Sequence, residues 1–121
     1  MRGVMMAAAA SALAMGGVLG AAGQAAAIKQ INFLTCQFSS KYLTFTVEQK
    51  SLGGRPNYYQ VCYADAGYTK VNIQKVVSVS AGNNSGNYVC TIGKKSWVLP
   101  FKKGESDTFR DYCTIKFITI F

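Results

Sequence analysis

From Ile28 onward the chain predicts an all-β fold, a small antiparallel sandwich or barrel of six to seven strands, and three observations carry that reading. Nothing in this region sustains a helical period, while Val, Ile, Thr, Tyr and Phe dominate it. Clusters of Gly, Asn, Ser and Pro recur between the apolar runs and mark tight turns. Four widely spaced cysteines, Cys36, Cys62, Cys90 and Cys113, predict two disulfides.

Residues 1–27 precede that region and read differently. Met1 and Arg2 make a short basic start, Gly3–Leu19 carries no charge, and Ala25-Ala26-Ala27 closes a run of small residues. This is the layout of a secretory signal peptide cut before Ile28. The rival reading is a retained apolar helix, because Met5–Gly23 holds nineteen uncharged residues, near the minimum for a membrane span. Ala and Gly partition weakly into hydrocarbon, and no charge cluster follows the segment, so cleavage is favoured. We therefore expect 1–27 as signal peptide and 28–121 as a single β domain, secreted to an extracellular, oxidising space. If the segment is retained, the domain is anchored on the outer face of a membrane.

The strands follow in order. Gln30–Phe38 is rich in apolar residues and ends at the polar Ser39-Ser40-Lys41. Tyr42–Gln49 alternates, with Leu43, Phe45 and Val47 on the face expected in the core and Tyr42, Thr44, Thr46 and Glu48 on the other. Tyr58–Ala64 lies between the turns Gly53–Asn57 and Asp65-Ala66-Gly67. Thr69–Ser80 puts Val71, Ile73, Val77 and Val79 on one face, interrupted by Lys75, where a bend or bulge is expected. Asn87–Ile92 follows the loop Gly82–Gly86, and Ser96–Phe101 follows Gly93-Lys94-Lys95. Trp97, Leu99 and Phe101 stand at period two, which directs all three into the core. Tyr112–Phe121 closes the set, with Cys113, Ile115, Phe117 and Phe121 on one face and Ile118 and Ile120 on the other. A strand apolar on both sides belongs in the middle of a sheet; at an open edge it would pair with a second copy of the chain.

A domain this small buries only about 60–65% of its extended surface, so covalent links matter to its stability. Sequential pairing, Cys36–Cys62 with Cys90–Cys113, closes two similar loops and is preferred. Nested pairing, Cys36–Cys113 with Cys62–Cys90, would tie the first strand to the last. Zinc is excluded by the absence of close ligand pairs and of any His. The net charge of +8, with thirteen Lys and Arg against five acids, favours an anionic partner: an acidic protein face, a surface polymer or a membrane surface. Export makes nucleic acid an unsuitable target.

Enzyme chemistry finds little to use. Without His the usual base for Ser or Cys nucleophiles is missing, and neither glycine cluster flows into a helix as a phosphate loop requires. Two carboxylates such as Glu48 and Asp111 suffice for glycoside hydrolysis but have no supporting motif. Glu105, Asp107 and Asp111 offer oxygens for calcium, yet Lys102, Lys103 and Arg110 among them oppose a cation and favour a surface salt-bridge cluster. No catalytic residue, metal site or cofactor is expected.

The aromatic and basic residues carry the binding reading. Tyr58, Tyr59, Tyr63 and Tyr68 flank two turns, Asn83 and Asn84 sit in a polar loop, and Lys94, Lys95, Lys102 and Lys103 bracket Trp97. Tyr and Trp add contact area at low conformational cost, which suits recognition. No family's motifs can be laid on the chain residue by residue. The function expected is a secreted, basic, disulfide-stabilised binding protein, inhibitor- or effector-like. The alternative is a structural subunit of an extracellular, membrane-bound or virion-like assembly that keeps the N-terminal segment.

Overall fold

The computed structural model describes residues 28–51 and 53–121; the expected signal peptide lies outside the described residues. Among the described residues, seven strands and one short helix follow one another as β1 (Lys29–Ile31), α1 (Phe33–Gln37), β2 (Leu43–Lys50), β3 (Pro56–Ala64), β4 (Gly67–Ser80), β5 (Gly86–Ile92), β6 (Lys95–Phe101) and β7 (Ser106–Ile120). Every pairing is antiparallel, in the order β1-β3-β2-β4-β7-β5-β6.

Two long strands turn this single ladder into a sandwich. The end of β4 pairs with β2 on one side and with the start of β7 on the other (Phe45 with Val79, Val79 with Asp107). Its beginning pairs with the end of β7, which also pairs with β5 (Gly67 with Ile120, Ile120 with Gly86). Each long strand therefore serves both layers. Phe45 of β2 meets Tyr88 of β5 edge-on at 5.8 Å between ring centroids, although two strands, β4 and β7, separate them in the order. Only a sheet folded over itself brings them together.

The core is the set Leu43, Phe45, Val47, Tyr63, Val76, Val79, Ala81, Tyr88, Phe101, Ile115, Ile118 and Ile120, with both cysteines of the second disulfide. Each large side chain fully withdrawn from water contributes about 1.5–3 kcal/mol. The alternation of Leu43, Phe45 and Val47 is met as expected. Two other strands change phase. Lys75 takes a left-handed conformation (φ 58°), and the register slips on both sides of Val76. That bulge brings Val76 into the core in place of Val77. In β7, Val89 faces Phe117 while Cys90 faces Ile115, so Lys116 is the extra residue. Beyond it Ile118 and Ile120 are buried, whereas Phe117 is half-buried and Phe121 exposed, contrary to simple alternation. As expected for a strand apolar on both sides, β7 lies inside the sheet, between β4 and β5.

Two expected boundaries are corrected. Gln30–Phe38 is not one strand: β1 ends at Ile31 and a helix follows. Asn32 caps it, its Oδ1 accepting from Thr35 N at 2.9 Å while its carbonyl accepts from Cys36 N at 2.9 Å. A cap and a covalent tie to β3 outweigh the β propensity of Phe and Thr here. The last strand begins at Ser106 rather than Tyr112, so Asp107 and Asp111 lie in a strand and not in a loop.

The disulfides pair sequentially, Cys36 with Cys62 and Cys90 with Cys113. At Gly86 a Cβ would collide with the backbone carbonyl of Thr119, so only glycine lets β5 and β7 approach here.

Candidate binding surface

The hairpin of β5 and β6 turns at Gly93-Lys94, with Gly93 in the left-handed region (φ 63°). Seven residue pairs zip it, from Gly86 with Phe101 to Ile92 with Lys95. β6 stands last in the strand order, so its outer backbone edge has no partner strand among the described residues.

Its two ends are held unequally. Phe101 is buried and stacks on Tyr88 at 6.1 Å. Leu99 is half-buried against the core. Towards the turn the strand leaves the core: Trp97 is 44% exposed and Val98 66%. The expectation that Trp97 alternates into the core is therefore corrected. Trp97 stands opposite Cys90, whose sulfur is joined to Cys113, and with the core closed there by the disulfide the indole stays at the margin. Lys94 and Lys95 are exposed beside it, and the hydroxyls of Thr91 and Ser96 bond across the strands at 2.8 Å.

Lys102 and Lys103 lie at the other end of β6, in the turn to β7. Their backbone amides donate to Glu105 Oε1 at 2.8 Å and to Ser85 Oγ at 3.3 Å, which leaves the side chains at the surface. The carboxylate of Glu105 thus closes a turn. The salt-bridge cluster expected of these acids is not formed among the described residues. Among the described residues no group of three metal-ligating side chains forms, and the ion pair found is Lys29 with Asp65, at 4.0 Å.

The remaining candidates are scattered. Tyr63 is in the core, edge-on to Phe45 at 6.2 Å, and burial pushes its phenol pKa up. Tyr58 and Tyr59 are exposed on β3 and point to opposite faces, as adjacent strand residues must. Tyr59 lines an open groove of about 600 Å³ with Val61, Val71 and Ile73. Tyr58 is the cross-strand partner of Glu48, whose Oε2 accepts from Tyr112 OH at 2.6 Å. That bond raises the Tyr112 pKa and engages the carboxylate that glycoside chemistry would need. Tyr68 stacks on Phe117 at 5.5 Å. Asn84 is structural: its Nδ2 donates to the carbonyls of Lys41 (3.1 Å) and Ala81 (3.0 Å). Asn83 remains exposed beside it. The structure thus brings Lys94, Lys95 and Trp97 together and leaves the tyrosines apart.

Sequence reasoning missed Phe33, Leu34 and Phe38, all exposed in or next to α1. Asn32 ahead of Thr35 was the available signal, since that pair can close a helix cap.

Comparison with known proteins locates the chain more broadly. The family model for Beta/Gamma crystallin matches residues 53–116, a stretch running from the turn before β3 into β7 and containing Cys62, Cys90 and Cys113. No curated protein and no solved structure matches the chain.

Proposed function

The chain belongs to the beta/gamma-crystallin family, a non-catalytic one, and from that premise we propose an exported binding protein that docks on an acidic protein through the β6 hairpin. The observation that carries the reading is the exposure of Trp97 and Val98 on an edge strand with Lys94 and Lys95 at their side. An aromatic anchor next to desolvatable cations is the usual composition of an interface hot spot. An open edge adds main-chain donors and acceptors for a partner segment. Export is supported by two disulfides, which persist in oxidising compartments, and by the signal-like composition of residues 1–27. Binding without chemistry gives the molecule an inhibitor- or effector-like role.

The test is capture of acidic proteins from the extracellular fluid of the source by the immobilised protein, compared with Trp97→Ala and with Lys94→Ala/Lys95→Ala. A captured partner should be lost about tenfold or more with Trp97→Ala, and the lysine variant should lose mainly the salt-sensitive part. Capture that is indifferent to Trp97 refutes the assignment of the surface. A structural role in an extracellular assembly is the second reading, and the family's structural character favours it. It would be recognised by an ordered oligomer whose subunits keep residues 1–27.

A further inference from the structure

At the β1 end of the strand order the short helix α1 is turned inside out. Of its residues only Cys36 is buried, while Phe33 is 54% exposed, Leu34 66% and the capping Phe38 83%. A surface helix normally buries such side chains and shows its polar ones. Here the Cys36–Cys62 bond does the anchoring, and the apolar groups are left pointing outward. One or two exposed apolar residues would be ordinary; three large apolar side chains within six residues are not.

The geometry points to α1 as a bilayer contact: Phe33, Leu34 and Phe38 enter the interfacial layer of an anionic membrane while Lys29 and Lys41 meet its headgroups. Three observations select a lipid surface over a protein. The exposed apolar area, on the order of 300–400 Å² for two aromatic rings and a leucine, is below the roughly 450 Å² of apolar surface in a stable protein interface of about 800 Å² per partner. Apolar area of that size with adjacent basic residues is what interfacial binding uses. Lys29, which pairs loosely with Asp65 at 4.0 Å, and Lys41 lie on either side of α1 in the chain and line one surface groove with that acid, so both cations stand at the same end of the molecule with a net positive balance. Finally, the uncharged segment Gly3–Leu19 is followed, after eight further uncharged residues, by Ile28. Wherever that segment meets a membrane, before cleavage or by retention, β1 and then α1 are the first described elements after it. This contact is independent of the β6 reading, since β6 ends the strand order opposite β1.

The experiment uses the purified protein with vesicles of phosphatidylcholine containing phosphatidylglycerol, and phosphatidylcholine alone as reference. Partitioning onto anionic vesicles should fall at least tenfold in Phe33→Ser/Leu34→Ser/Phe38→Ser, with the fold verified by circular dichroism and by the absence of free thiols. Lys29→Gln/Lys41→Gln should remove the preference for anionic over neutral vesicles. Trp97 is the sole tryptophan, so brominated lipid should leave native fluorescence unquenched. In Trp97→Phe carrying Leu34→Trp, the same lipid should quench strongly. Equal partitioning of the triple variant, quenching of native Trp97, or no quenching at position 34 would each overturn the proposal. So would dimerisation abolished by the triple variant in protein that never binds vesicles.

Discussion

The two disulfides close segments of similar length, 26 and 23 residues, yet they hold opposite kinds of structure. Cys90–Cys113 links β5 and β7, neighbours already joined by a ladder from Gly86 to Thr91 and packed into the same core. It reinforces contacts that exist without it. Cys36–Cys62 ties β3 to a five-residue helix that is too short to be stable alone and whose other side chains are exposed. There the covalent bond stands in for packing. The lesson concerns small domains: where the core is too limited to hold every element, a sulfur bridge can keep an element in place and free its apolar face for another use.

Truncating the packed region is expected to have the largest effect. Phe45 is fully buried and touches Tyr63 and Tyr88 from both layers, so Phe45→Ala should cost about 3–5 kcal/mol in denaturant unfolding. A loss under about 1 kcal/mol would mean that the two layers are not joined through this ring. Removal of each bridge comes next. On the chain-entropy account Cys36→Ala/Cys62→Ala and Cys90→Ala/Cys113→Ala each lose about 3–4 kcal/mol. Hydrogen exchange should separate them. Without the first bridge the amides of residues 33–37 should exchange near the free rate, whereas without the second the β5–β7 amides should stay protected up to global unfolding. Protected α1 amides in the first variant would reveal a packing anchor and end the contrast.

The smallest effect at ordinary pH lies in the alkaline limb. Burial, assisted by the charge of Asp107, pushes the Tyr88 phenol up to about 12, and burial also raises Tyr63. The unfolded chain loses those protons near pH 10 and the folded one only later. The Tyr88 contribution is therefore complete below about pH 10 and falls away as pH rises through about 12. Tyr88→Phe should flatten that decline, and a decline unchanged in this variant would place its origin elsewhere. α1 itself carries no tyrosine, so releasing it by removal of Cys36–Cys62 should leave the alkaline slope as it is.

Local patterns in the sequence showed the strands and turns well. Leu43, Phe45 and Val47 alternate without interruption, and their strand is found where the pattern predicts. Phase was harder. Val76 over Val77, and Ile118 over Phe117, depend on bulges at Lys75 and Lys116 that arise from matching two long strands across both layers. Trp97 shows the same limit at the candidate surface. Its period-two spacing with Leu99 and Phe101 is real, but an edge strand that leaves the core towards its turn carries the first of the three out of it.

What the amino-acid order determined unaided was composition, turn chemistry and the two sulfur pairs' availability: an all-β, basic, cross-linked domain. Tertiary structure decided the phase of the long strands and which side chains of the edge strand and the helix stay outside. Strand periodicity distinguishes two faces but does not say which neighbours lie on each side. That depends on contacts between residues far apart in the chain, and here those contacts turned Trp97, Phe33, Leu34 and Phe38 outward.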